Sequence, residues 1–349
     1  MIYWAVLLLS VFVNILGIRI FPHIETLAFI FHICFFFVLL VPLVYLSPQS
    51  TTKFVFTDFE NVGGWKSDGV SWFLGLLTSA WSFVGIDGTS HMSEEVINAA
   101  TVVPQSMLIA QFISGAFAMA FSIAILFGIG DISTVLQTPT KYPIIEIFMV
   151  ATRSKGATTA LVCALISTLV FSTFGLLASA SRLAWAFSRD KGFPFSGFFG
   201  KVSSYYMTPV RAIILVAACA CLLGLINISS AVAFNALTSV GLVGHYTSYL
   251  LPMTLLVVRR FGKSEIPWGP WTMGRWGLAV NLAAISYSVV LIVFMVFPPY
   301  RPVSAQNMNY ASLIFGSVML LSGALWFIYG RKVYYGPVRE VIEELHIKQ

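Results

Sequence analysis

Trp81-Ser-Phe-Val-Gly-Ile-Asp-Gly-Thr-Ser-His-Met-Ser-Glu-Glu95 sets two glycines, Gly85 and Gly88, around an acidic residue, Asp87, at the end of an apolar run that begins near residue 70. Glycine lowers the cost of leaving helical backbone angles. A helix interrupted within a bilayer bares amides and carbonyls that must line a cavity or bind something polar, and such breaks mark solute sites in membrane carriers. A carboxylate there is costly unless it is paired, protonated or wet. Two readings stay open. Either the span is broken and Asp87 is functional, or the helix simply ends, since about 18 residues from Val70 rise roughly 27 Å, nearly the hydrocarbon thickness.

Composition fixes the class around this stretch. With 58% hydrophobic residues, 10% charged and a mean hydropathy of +0.87, the chain reads as an all-α polytopic membrane protein. Apolar runs at residues 2–20, 24–47, 70–93, 104–128, 157–187, 210–228, 231–258, 275–297 and 308–330 predict about nine transmembrane helices. That leaves no sizeable soluble domain. An odd number of spans puts the termini on opposite sides. If the C-terminus is cytoplasmic, Arg19, Arg182, Arg189, Lys191, Lys201, Arg211, Arg259, Arg260, Lys263, Arg275, Arg331, Lys332, Arg339 and Lys348 fall inside, 14 of the 20 basic residues, while Lys53, Lys66, Lys141, Arg153, Lys155 and Arg301 fall outside. The heavier basic side then faces the cytoplasm, as the positive-inside rule requires, and the N-terminus lies outside. The uncharged start Met1-Ile-Tyr-Trp4 is unusual for that side, so the chain is expected to be truncated at its front.

The net charge of +6 comes from scattered residues rather than a basic stripe, which excludes nucleic acid as a partner. Cys34, Cys163, Cys219 and Cys221 sit in apolar runs without ligand spacing and read as buried thiols, with neither a disulfide nor a metal. No enzyme signature is present, so no cofactor and no catalysis are expected.

Other candidates follow from residue type. Glu94 and Glu95, ahead of Asn98 and Pro104, read either as a solvated loop or as latches onto basic loops during gating. Ser167, Thr168, Ser172, Thr173, Ser179 and Ser181 run through one span, where small hydroxyl residues permit tight helix packing or ion coordination. His32 lies mid-span, as a proton carrier or as a neutral histidine bonded to a neighbouring helix. His245, flanked by Gly241 and Gly244, suits close helix approach first and a site second. Leu136-Gln-Thr-Pro-Thr-Lys-Tyr-Pro-Ile-Ile-Glu-Ile-Phe148 is expected as a short amphipathic helix over the outer mouth. Residues 331–349 form a charged cytoplasmic tail, with Arg339, Glu340, Glu343, Glu344 and Lys348.

Several segments together resemble the amino acid–polyamine–organocation permeases, and most closely their fungal GABA, choline and amino-acid branch. They are residues 82–95 with Pro104, Thr138-Pro-Thr-Lys-Tyr-Pro143, Leu177-Ala-Ser-Ala-Ser-Arg182 with Ser188-Arg-Asp-Lys-Gly-Phe-Pro194, and residues 252–260. The resemblance implies a partial APC/LeuT-type inverted-repeat bundle in which residues 1–330 carry family spans four to twelve and lack spans one to three. The stretch at 81–93 becomes span six. Its unwound part, Phe83, Gly85, Ile86, Asp87 and Gly88, faces substrate, and the helix after it aims its positive end at an anion. His32 falls on span five as the candidate proton site. The implied function is secondary transport of amino acids or related amines such as GABA or choline, coupled to H+, in the plasma membrane or another cellular membrane. The alternative is a truncated family member that inserts among membrane lipid but cannot transport.

Overall fold

A computed structural model describes residues 1–229, 231–262, 266–305 and 307–336. The tail positions 337–349 and Lys263 lie outside the described residues. Helices make up the fold, with no strand among the described residues. In chain order they are α1 (Ile2–Leu16), α2 (Phe21–Tyr45), α3 (Thr52–Phe56), α4 (Asp68–Trp81), α5 (Gly88–His91), α6 (Ala99–Gly128), α7 (Ile132–Leu136), α8 (Pro143–Thr152), α9 (Lys155–Arg189), α10 (Ser196–Phe199), α11 (Val210–Ser229), α12 (Ala231–Phe261), α13 (Gly277–Phe294) and α14 (Ala311–Leu325). The last of these runs on through a π-turn at Trp326–Gly330.

Among the described residues, six helical stretches are each long and apolar enough to cross a membrane: Phe21–Tyr45, Ala99–Gly128, Lys155–Arg189, Val232–Phe261, Gly274–Phe294 and Ala311–Val333. The remaining expected spans are met by the shorter α1 and α11 and by the interrupted pair α4 and α5. Large apolar side chains such as Phe12, Phe29, Phe112, Leu169, Leu222 and Leu320 are exposed around the outside, a surface that water would not tolerate and lipid would.

Local chemistry explains the boundaries. The Ser154 hydroxyl accepts from the Ala157 amide and caps α9. At the other end, Lys191 takes a left-handed conformation (φ 63°), its amide returns to the Ser188 carbonyl and that of Gly192 to Phe187, which is a Schellman termination. The Asp131 carboxylate caps α7 by accepting from the Ser133 and Thr134 amides and hydroxyls; the Thr134 and Ser133 side chains hold its pKa below the usual carboxylate range. The expected helix at 136–148 begins only at Pro143, because proline supplies the first helical position and the preceding residue is extended. It does not lie loosely over the bundle. Ile147, Phe148 and Ala151 are buried against α2, α6 and α9.

The helices fall into two packed groups that meet where α11 packs on α12. In one, α9 is the central mast and touches α1, α2, α5, α8, α10 and α11, with α6 resting on α2. In the other, α12 packs on α13 and α14, and α4 packs on α13. Ala80 of α4 shares a buried cluster with Leu242, Val243 and Tyr246 of α12 and Leu291 of α13. Cys34, Cys163 and Cys219, expected to be buried, are exposed on outer helix faces.

Polar contacts pin α1 to the mast. The buried Asn14 amide donates to the Ser10 and Phe174 carbonyls at 3.0 and 3.1 Å, and Ser10 and Thr173 share a hydroxyl bond of 2.8 Å. Interhelical bonds of this type are each worth roughly 1 kcal/mol in a membrane. Asn14→Leu should therefore lower stability by about 1–2 kcal/mol, read as a reduced thermal midpoint in detergent: the Phe174 carbonyl keeps its helical partner, but the Arg182 Nη1 loses the Asn14 Oδ1 acceptor at 3.4 Å.

Candidate functional site

The interruption is real. The 14 residues of α4 rise only about 21 Å, well short of a hydrocarbon core of roughly 30 Å. Helical bonding tightens at Ser82, Phe83 and Val84, whose amides reach back three residues at 3.2, 3.2 and 3.3 Å. It then stops. Among the described residues, the amides of Gly85, Ile86 and Asp87 and the carbonyls of Ser82, Phe83, Val84 and Ile86 form no backbone hydrogen bond. Gly85 carries the turn with φ 91°, a region that side-chain-bearing residues rarely adopt.

The two glycines do different work. Gly88 has ordinary backbone angles and opens α5; a Cβ there would stand 3.4 Å from the Ser179 Oγ on α9, so it serves close approach. The helix after the break is one turn, Gly88–His91, followed by a 3-10 turn at Ser93–Glu95. The expected positive helix end aimed at an anion is therefore corrected, because a single turn sums too few peptide dipoles.

Asp87 belongs to a polar cluster. Its Oδ2 lies 3.1 Å from His91 Nε2, and His245 and Tyr249 of α12 are within electrostatic range. Among the described residues the buried Tyr249 hydroxyl makes no close hydrogen bond, and Asp87 is the polar group it approaches. Phe83 turns the other way, its ring against Gly115 of α6. The break thus passes from α4, which is fixed to α13, to α5, which rests on α9 and α6.

Below the break the two expected gating residues meet α9. Glu95 Oε1 accepts from Arg182 Nε at 2.9 Å, and Glu94 Oε1 pairs with Arg189 Nη2 at 2.9 Å. The partners are two turns of one helix rather than basic loops. Arg182 is almost wholly buried and also reaches Asn14 Oδ1 at 3.4 Å. A cavity of about 430 Å³ opens beside the pair, lined by His91, Glu95, Arg182 and Trp185 among others.

His32 lies apart from this cluster. Its Nδ1 sits 2.7 Å from the Ala28 carbonyl of its own helix, and its Nε2 is 3.4 Å from the Ser172 Oγ on α9. A second acidic residue, besides Asp87, lies within an apolar helix. Glu25 lies in the second turn of α2, its Oε1 buried without a hydrogen-bond partner among the described residues and facing the notch left by Gly175. The signal for it was plain in the sequence, two helical turns before His32. The serines and threonines of α9 mostly bond carbonyls of their own helix, as at Ser167, Thr168, Ser172 and Ser181, which leaves them to packing.

The family described as Amino acid permease matches residues 1–320. The chain belongs to that family. It is similar to an uncharacterized amino-acid permease of Schizosaccharomyces pombe, 32% identical over 95% of this chain and 61% of that protein. The choline transporter of Saccharomyces cerevisiae is 31% identical over 81% and 50%, and an amino-acid permease of Arabidopsis thaliana 30% over 98% and 67%. This permease chain thus spans about half to two thirds of the length of the curated relatives it matches. It is an integral membrane protein of a transporter family, not of an enzyme family.

Proposed function

We propose that the chain provides the moving core of a secondary transporter for amino acids or related amines such as GABA or choline. Residues 1–330 correspond to family spans four to twelve, with the N-terminus outside and the C-terminal tail in the cytoplasm. Substrate meets the bared peptide groups from Phe83 to Gly88, where Asp87 supplies the negative charge for an ammonium group. Glu94 and Glu95 close the cytoplasmic side by pairing with α9. Proton coupling runs through His32, to which we add the neighbouring Glu25.

The observation that carries this reading is the position of the break between two packed groups. Because α4 is fixed to one and α5 to the other, any rocking of the groups against each other must change the shape of residues 82–87. That couples occupancy of the break to access. The test is uptake of radiolabelled GABA, choline and a panel of L-amino acids into proteoliposomes under an inward proton gradient. Asp87→Asn, which keeps shape and removes charge, is expected to cut uptake of the transported probe at least about tenfold. Uptake unchanged by Asp87→Asn would take that residue out of the site, and no uptake of any probe is what an inserted but inactive chain predicts.

A further inference from the structure

The cavity beneath the break holds opposite charges in unlike settings. Arg182 is fixed: it is 4% exposed at the side chain and held among α1 and α9 by Asn14 and Ser181. Glu95 is the movable partner, 47% exposed and carried on a single 3-10 turn. Of the guanidinium nitrogens, Nε serves Glu95 and Nη1 makes two long contacts of 3.4 and 3.5 Å. Among the described residues Nη2 makes none, although Arg182 lines the cavity. Trp185, one helical turn on, forms part of the wall.

Consider what could part this ion pair. A free carboxylate could take the guanidinium, but Glu95 would lose its partner; an amine could take Glu95, but the buried guanidinium would be left uncompensated, which is the costlier loss. A zwitterion replaces both partners at once, its carboxylate on the planar guanidinium fork and its ammonium on Glu95, so no charge is stranded. We propose that Glu95 and Arg182 form a second solute site, a receptor for zwitterions, and that occupation of it unlatches the cytoplasmic side. The inference rests on the transport reading above and narrows it: the solute that opens this chain carries both an ammonium and a carboxylate.

The groups that face the pair are named by the geometry. On its own segment these are His91, which also contacts Asp87, and Glu94; on α9, Arg189 is held by Glu94; on α1, Asn14 is uncharged. Glu95 is therefore the carboxylate available to a ligand ammonium next to Arg182.

Three four-carbon probes separate the alternatives: 4-aminobutyrate, butyrate and butylamine. Their binding to the chain purified in detergent is read by tryptophan fluorescence and by the shift in thermal midpoint. The expected result is that 4-aminobutyrate binds at least about tenfold more tightly than either single-charge probe. In Glu95→Gln the advantage over butyrate collapses, while in Arg182→Lys the advantage over butylamine falls. A merely structural pair would weaken all three probes by one factor. Trp185→Phe, which leaves both charges in place, should remove the ligand-induced fluorescence change. Equal binding of the three probes by the unaltered chain overturns the proposal whatever the variants do, as does an undiminished preference in Glu95→Gln. Active uptake without such a preference would leave the transport reading standing and sink only this inference. A clear preference with no uptake would do the reverse.

Discussion

Gly85→Ala is expected to stop solute movement while leaving the bundle folded. A Cβ at this position would meet nothing nearer than the Leu176 Cδ2 at 3.9 Å, so space is available. The obstacle is the backbone, since φ 91° in a residue with a side chain costs about 1–2 kcal/mol. The chain can relieve that cost by rewinding residues 82–87 toward a helix, which closes the very peptide groups that the break exposes. Uptake in proteoliposomes should drop by at least about tenfold, with a thermal midpoint near that of the unaltered chain. Full uptake in Gly85→Ala would mean that the bared backbone takes no part in handling solute.

The second large effect concerns the two glutamates below the break. Glu95→Ala leaves the Arg182 guanidinium, 4% exposed, without its 2.9 Å partner. Stranding one member of a buried pair costs several kcal/mol, but the Glu95 carboxylate is half in water, so a discounted loss of about 2 kcal/mol is expected. Glu94→Ala breaks a pair whose partners are 39% and 52% exposed and should cost less than about 1 kcal/mol. Thermal unfolding of the two variants side by side measures the difference. Equal midpoints would show that the burial of Arg182 brings no dependence on Glu95.

The all-helical membrane class was legible because apolar runs long enough to span a bilayer leave few other options, and α9 was located to within two residues at each end. The break was legible for a local reason, a glycine pair beside a carboxylate. What was hidden was tertiary. Nothing in the order of residues says that Glu95 reaches Arg182 across 87 positions, or that Tyr249 comes up to Asp87 from α12. The division of labour between the glycines was hidden too, since a left-handed turn and a close helix approach select the same residue. Glu25 was overlooked although its signal is local, a carboxylate two turns into an apolar helix. The helix at Pro143 was placed too early because apolar spacing does not mark the extended residue before a proline at which the helix opens.

The length of α9 has a mechanical consequence. Its 35 residues make a rod of about 52 Å, and even at a steep lean of roughly 40° only about 39 Å of it fits inside the hydrocarbon slab. About two turns in total must stand clear of the oil at its two ends, and Arg189 is the last residue of the rod, with Arg182 two turns before it. Such a rod works as a lever: a swing of about 5° around its midpoint carries each tip roughly 2 Å, a displacement comparable with the slack in a single ion pair. Under the proposed gating role, a bilayer whose thickness altered this lean would strain the pairs that Glu94 and Glu95 make with the rod.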